Sequence, residues 1–203
     1  MAEESLQEID TPGHTSIIAA TYPEYVACFE ATPWALYASE PPAGQLRFAL
    51  PEVVNFTTSL LSSVASTLPS SYFSTGGDEL ETSCYTNDVP TQKQLNATNT
   101  TLLEALATFT QSTHGALIAQ NKTPVVWEEM VLEWNLTLSK ETIIMCVHRV
   151  ASLHALTSLG SGFRPQTPPM WPTWDIESYR CLPTTFFSYV SSNGSVSIYH
   201  QIG

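Results

Sequence analysis

The 203-residue chain carries seven Lys and Arg against nineteen Asp and Glu, a formal net charge of −12 with a pI near 4.6. That balance repels DNA, RNA and anionic membranes, which excludes nucleic-acid binding, and no apolar run approaches the roughly 18 residues needed to span a bilayer. Apolar residues at 43% of the chain are enough for a sizeable core, so general disorder is excluded and one domain, or two, is expected.

In chain order, Leu6 to Asp10 is a short β-like run that ends in the turn signal Thr11-Pro12-Gly13-His14. A short helix is expected from Thr15 to about Tyr22, and the proline-rich stretch over 23–50 reads as a long irregular excursion. Pro51 suits the first position of a helix. Val53, Phe56, Leu60, Val64 and Leu68 follow at spacings of three and four, one apolar stripe that Pro69 ends. Tyr72-Phe73-Ser74-Thr75 reads as a strand broken by Gly76-Gly77. A second amphipathic helix carries Leu102, Leu106, Phe109, Ala116 and Leu117. Asn121 to Pro124 then turns the chain into the buried strand Val125-Val126-Trp127, and Thr142-Ile143-Ile144 begins a fourth strand. Strands alternating with helices of this length predict βα units and a parallel sheet, and no internal repeat is visible. In such sheets the working residues lie just past the carboxyl ends of the strands. Those places are Asp10 to His14, Asp78-Glu79, Trp127 to Glu129, and the region near Val147.

Gly76-Gly77-Asp78-Glu79 is the sharpest local feature. Neighbouring residues on a regular strand point to opposite faces, so two adjacent carboxylates share a pocket only where the backbone leaves strand geometry, and two glycines permit that. Paired carboxylates suit acid–base chemistry because each raises the other's pKa. The structural alternative is a Gly-Gly turn with Asp78 as a helix N-cap and Glu79 in its first turn. His14, after Pro12-Gly13, is either an orienting partner of a catalytic acid or a structural turn residue. Trp127 is either the aromatic wall of a sugar or acyl pocket or a core tryptophan. His114, His148, His154 and His200 have no partner pattern and read as incidental. Without G-x-S-x-G or a P-loop, serine hydrolase and nucleotide-phosphate chemistries have no support.

Only 13% of residues are charged, about half the usual share, and six glycosylation sequons begin at Asn55, Asn96, Asn99, Asn121, Asn135 and Asn193. Together these favour a secreted glycoprotein, although the acidic start Met1-Ala2-Glu3-Glu4 is no signal peptide. The four cysteines, Cys28, Cys84, Cys146 and Cys181, lack C-x-x-C spacing, which argues against zinc and leaves disulfides open. Residues 1–145 hold seventeen acidic and four basic side chains, whereas 146–203 hold two acidic and three basic, in a Ser-, Pro- and Thr-rich stretch with one short helical pattern from Val150 to Leu159.

Glu8-Ile9-Asp10-Thr11-Pro12-Gly13-His14, Ser74-Thr75-Gly76-Gly77-Asp78-Glu79-Leu80 and Pro124-Val125-Val126-Trp127-Glu128-Glu129-Met130, in this order and at these separations, resemble glycoside hydrolase family 20, the β-N-acetylhexosaminidases, most closely the secreted fungal type. The resemblance covers roughly residues 6–145. It implies an α/β fold, a partial TIM (β/α)8 barrel of about strands three to six, and hydrolysis of terminal β-linked GlcNAc or GalNAc from an N-acetylhexosaminide substrate such as a chitin oligosaccharide. It implies retaining catalysis in which the substrate's own 2-acetamido group attacks the anomeric carbon, with no cofactor and no metal. By the same resemblance Glu79 is the general acid and then base, and Asp78 orients the acetamido group and stabilises the oxazolinium. Trp127 lines the acetamido pocket, Asp10 belongs to the substrate-binding set, and His14 belongs to a relay tuning Glu79. Cys28 and Cys84 stand where the family commonly forms a disulfide, and a homodimer is implied for full-length members.

Departures from the family pattern accompany the match. Barrel strands one and two precede the first motif in the family, with a sugar-binding arginine and the aspartate partner of the relay histidine. The sixth-strand tryptophan is expected near Val147, where Cys146-Val147-His148 stands. The seventh-strand Tyr and Asp and the eighth-strand Trp and Glu find no match; Met170-Trp171-Pro172-Thr173-Trp174-Asp175 has the residue types in another context. The resemblance ends where the charge changes, which predicts a catalytic part over 1–145 and a divergent tail over 146–203 from a truncated gene model. The missing strands imply an alternative function, a non-catalytic remnant that binds amino sugars weakly.

Overall fold

A computed structural model describes residues 6–146, together with the backbone of short strands between residues 164 and 198. The expected helix from Val150 to Leu159, the sequon at Asn193 and the histidines His148, His154 and His200 lie outside the described residues. Four short strands carry the site: β1 (Gln7–Glu8), β4 (Tyr72–Ser74), β5 (Thr123–Trp127) and β6 (Ile143–Cys146). They pair in parallel in that order, with Glu8 opposite Ser74, Ser74 opposite Val125 and Trp127 opposite Met145. Parallel neighbours need a crossover between them. Two long helices supply two of the three here, α1 (Pro51–Thr67) between β1 and β4 and α4 (Leu102–Ala119) between β4 and β5, and they also pack against each other; between β5 and β6 there is only a short helix over Glu129–Leu132. This βα succession is the predicted piece of a TIM barrel. Beyond it β9 (Tyr179–Pro183) adds in parallel to β6, and β8 (Thr173–Ile176) and β7 (Arg164–Gln166) follow antiparallel; β10 (Phe187–Ser188) and β11 (Ser197–Ile198) form a separate pair.

The stretch over 23–50 is more ordered than its prolines predict. β2 (Val26–Ala27) and β3 (Gln45–Leu46) pair antiparallel, and their four residues are buried. Arg47 clamps this excursion to the rest of the domain. Its guanidinium donates from Nε to both Asp88 oxygens at 3.0 Å, from a terminal nitrogen to Asp88 at 2.8 Å, and from the other to the Glu24 carbonyl at 2.8 Å. Asp88 also caps α3 (Val89–Thr98) by accepting from the Thr91 amide. That helix and the short α2 (Ser83–Thr86) escaped the sequence reading, because neither carries a long apolar stripe. The expected helix after Thr15 is a 3-10 turn over Ser16–Ala20.

Helix α1 begins at Pro51 and stops before Pro69 as predicted, but its buried line is Val53, Thr57, Leu61 and Ala65. The predicted stripe of Phe56, Leu60, Val64 and Leu68 is half-buried beside it. The rotation has two causes: Leu61 and Ala65 fit against Phe73 and Leu117, and Phe56 is drawn aside to pack its ring at a tilt against Tyr22 and Tyr25. Helix α4 opens with a capping box in which the Thr101 hydroxyl accepts from the Glu104 amide and Glu104 accepts from the Thr101 amide. Its Leu106 and Phe109 enter the main core with Phe48, Tyr85, Val126 and Ile144, each such side chain contributing about 2 kcal/mol by burial.

Gly115 lies on the exposed side of α4, and a Cβ placed there meets nothing within 4 Å. Gly115→Ala is therefore expected to stabilise the domain by about 1 kcal/mol, through helix propensity alone; the midpoint of urea unfolding should rise.

Candidate active site

The carboxyl ends of β1, β4 and β5 converge on one cluster of acids. After β4 the backbone turns at Gly76 (φ 65°) and Gly77 (φ 96°), conformations that favour glycine. No helix begins at Asp78, so the helix-cap alternative is excluded; α2 starts only at Ser83. The turn also requires the smallest residue for space. A Cβ on Gly76 falls 1.8 Å from Asp10 Oδ1, and one on Gly77 falls 2.6 Å from the Met130 side chain. Into this space Asp10 reaches from the end of β1, accepting from the Gly77 amide at 3.0 Å.

Asp10 and Asp78 are joined by a side-chain hydrogen bond, and burial, then the Asp78 charge, holds the Asp10 carboxyl well above the usual carboxylate range. Asp78 Oδ1 is buried with no hydrogen-bond partner among the described residues. Glu79 has a positive φ of 53°, unusual for a residue with a side chain. Its carboxylate lies 3.2 Å from His14 Nε2 and is exposed, while Asp78 lies 3.9 Å from the same nitrogen. His14 is itself held at φ 50° by the turn after Pro12. Asp10, His14 and Asp78 bring ligand-type atoms within 4.8 Å of one another. That set has the composition of a cation site, and a hydrogen bond already links two of its members, Asp10 and Asp78.

Trp127 ends β5 next to these acids. Its backbone amide donates to the Gly76 carbonyl at 3.0 Å, and its ring packs on an inner apolar floor of Leu6, Val125, Ile143 and Met145. It is partly buried, combining the wall and core readings. Glu128, next in sequence, is buried, and burial followed by the Asp78 and Glu128 charges raises the Glu129 carboxyl. A cavity of about 140 Å³ opens between β1 and α1, lined by Ile9, Ile17, Phe56 and Leu60 and touched by Asp10 and His14. It is smaller than the 300 Å³ or more of ordinary ligand sites, and the acid cluster lies at its rim.

The sequence profile of the glycosyl hydrolase family 20 catalytic domain matches residues 4–164. The chain belongs to glycosyl hydrolase family 20. It is 34% identical over 133 residues to a β-hexosaminidase of Arthroderma benhamiae, covering 64% of this chain and 22% of that protein. It is 30% identical over 140 residues to β-hexosaminidase subunit A2 of Dictyostelium discoideum, covering 69% and 24%. Among solved structures, the Flavobacterium johnsoniae chitobiase superposes with a TM-score of 0.57 at 26% identity over 75% of this chain and 23% of its own. The family 20 exo-β-N-acetylglucosaminidase of Vibrio harveyi shares the fold with a TM-score of 0.61 at 22% identity, over 75% and 24%. The chain therefore spans about a quarter of the length of the family 20 proteins it matches.

All five site residues singled out in the sequence (Asp10, His14, Asp78, Glu79 and Trp127) come together in this family 20 chain. Cys28 and Cys84 also meet, hydrogen-bonded as free thiols, with Cys84 donating to the Tyr37 carbonyl and burial raising both pKa values. Two residues were missed. Glu8 lies behind Trp127 on β1, and periodicity on a two-residue strand cannot mark it. His114, read as incidental, is buried in α4 with Nε2 3.1 Å from the Thr75 hydroxyl, directly before the glycine turn. Burial pushes the His114 pKa down to about 4.

Two outcomes follow from these contacts. Gly76→Ala should destabilise the folded chain by about 2–4 kcal/mol in urea unfolding, since its Cβ meets a buried carboxyl and its backbone is left-handed. As pH falls from 6.5 towards 4, the unfolded chain protonates at position 114 before the folded one does. Stability should drop across that window by an amount on the order of 3 kcal/mol. Against the opposing gain from the raised carboxyls, the effect is read as the difference between the wild-type chain and His114→Gln in parallel unfolding curves.

Proposed function

We propose that this chain is the β-N-acetylhexosaminidase catalytic segment of a secreted family 20 enzyme, hydrolysing terminal β-linked GlcNAc or GalNAc. The observation that carries this reading is the pairing of unlike environments on adjacent carboxylates. Asp78 is backed by Asp10, whose carboxyl is held well above the usual range, and keeps one oxygen buried and unpaired, whereas Glu79 is exposed and touches His14. A buried acceptor without a partner is costly, and the N–H of a substrate acetamido group supplies the missing donor. Held there, the acetamido oxygen attacks the anomeric carbon, forming the C–O bond of an oxazolinium as the glycosidic bond breaks. Glu79 gives its proton to the departing oxygen. Water then opens the oxazolinium, returning its proton to Glu79. Asp78, ionised, offsets the positive charge of the intermediate, and no enzyme nucleophile is required. His14 tunes Glu79 from 3.2 Å. Trp127 offers the acetamido methyl an apolar wall.

Secretion and glycosylation are part of the proposal. The described sequon asparagines Asn55, Asn96, Asn99, Asn121 and Asn135 are all exposed, and oxidation of Cys28 and Cys84 would tie the excursion over 23–50 to the segment that follows Glu79. No helix among the described residues is long and apolar enough to cross a membrane. We place the catalytic part over 1–145 and a divergent tail over 146–203. The change of charge near 145 supports that division, although the family profile runs on to residue 164.

The test is hydrolysis of a chromogenic β-N-acetylglucosaminide by the full chain. Turnover should fall about 10²–10⁴-fold in Glu79→Gln, the range expected of a general acid. A second reading is sugar binding without turnover. Saturable binding of an oxazoline mimic with no hydrolysis would select it, and neither binding nor hydrolysis would overturn both.

A further inference from the structure

Behind the Asp78–Glu79 pair, on the inner face of the sheet, lies a carboxylate with no role in the reaction above. Glu8 occupies the last position of β1, opposite Ser74 of β4. The Ser74 hydroxyl donates to Glu8 Oε2 in a short hydrogen bond, and the Trp127 indole N–H also bonds the Glu8 carboxylate. The same Ser74 oxygen accepts from the Gly76 amide at 3.2 Å. One side chain is thus the common acceptor for the tryptophan ring and, through Ser74, for the first glycine of the turn that presents Asp78 and Glu79.

We propose that Glu8 is a positioning residue, which fixes the plane of Trp127 and couples that plane to the Gly76 turn. A tryptophan held only by apolar packing can rotate about its side-chain bonds; an indole N–H fixed to a carboxyl two strands away, on β1, cannot do so without losing that hydrogen bond. Trp127 meets its apolar floor with the ring carbons, so the N–H is the only polar handle by which it can be oriented. The carboxylate is retained there against a cost. Burial raises the Glu8 pKa, as does the Asp78 charge, while Ser74, Trp127 and His14 act in the opposite direction. A residue needed only to fill this space would be apolar. In the proposed reaction, the ring plane decides whether the acetamido group sits against the wall with its oxygen aimed at the anomeric carbon. That part of the inference rests on the functional reading above, whereas the orientation of Trp127 by Glu8 does not.

The experiment uses the full ¹⁵N-labelled chain, with the Trp127 indole resonance assigned by its disappearance in Trp127→Phe. In Glu8→Leu, the Trp127 N–H should shift and exchange with solvent at least tenfold faster. In Glu8→Gln, which keeps an acceptor oxygen, exchange protection should return while the resonance moves because an amide oxygen replaces a carboxyl oxygen as the acceptor. An unchanged Trp127 resonance in a folded Glu8→Leu protein overturns the proposal. If Glu8→Leu fails to fold, Glu8→Gln decides it, and an unmoved resonance there overturns it equally. Binding of an N-acetylglucosamine-derived oxazoline mimic is measured on the same proteins. Loss of affinity in Glu8→Leu with recovery in Glu8→Gln supports the link to the acetamido wall. No binding by the wild-type chain defeats the functional reading, while the exchange rates still decide the role of Glu8.

Discussion

The close approach of Asp10 to the Gly76–Gly77 backbone is the contact on which the site depends. The Asp10 carboxyl lies where a Cβ on Gly76 would be and accepts from the Gly77 amide. Because the two glycines take left-handed conformations, Asp78 and Glu79 leave the alternation of the strand and address one space. Because Asp10 comes from the neighbouring strand, the turn is referenced to the sheet rather than to its own loop. Parallel pairing of β1 with β4, one short ladder, is what brings the two together.

The chemistry of the cluster follows from the burial of like charges. Several carboxyls crowd the ends of three strands, and they cannot all ionise there. Burial and the neighbouring Asp78 charge hold the Asp10 carboxyl well above the usual carboxylate range. Glu79 escapes this competition by being displaced outward at positive φ towards His14. Two adjacent residues in sequence thus acquire different environments, a condition for dividing acid–base work from charge stabilisation. The network extends backwards through Ser74 to Glu8 and through Thr75 to neutral His114, so the loop that carries the acids is anchored on both faces of its strand.

Much of the site was legible before folding was considered. Gly76-Gly77-Asp78-Glu79 needs a departure from strand geometry whatever surrounds it, and apolar runs ending at Asp10 and Trp127 place those residues at strand ends. The βα alternation was equally plain, since Pro51 and Pro69 bracket α1 and a regular stripe marks α4. Less legible were elements stabilised by contacts distant in sequence. The β2–β3 pair depends on the Arg47–Asp88 ion pair across 41 residues, and the buried face of α1 is rotated by the Tyr22–Tyr25–Phe56 cluster. Helix α3, with few apolar residues, is held by its Asp88 cap.

By itself the sequence determined which residues could do chemistry, because residue type, glycine placement and order along the chain are local properties. It also determined the class of fold, because periodicity and proline placement are local too. The tertiary structure alone decided which carboxyl is pushed above the usual carboxylate range, since that depends on burial and on the nearness of residues 10 and 78. It alone turned His114 from an incidental residue into a buried neutral one and made Glu8 the shared acceptor of Ser74 and Trp127. Strand pairing creates those neighbours, and no spacing along the chain encodes them.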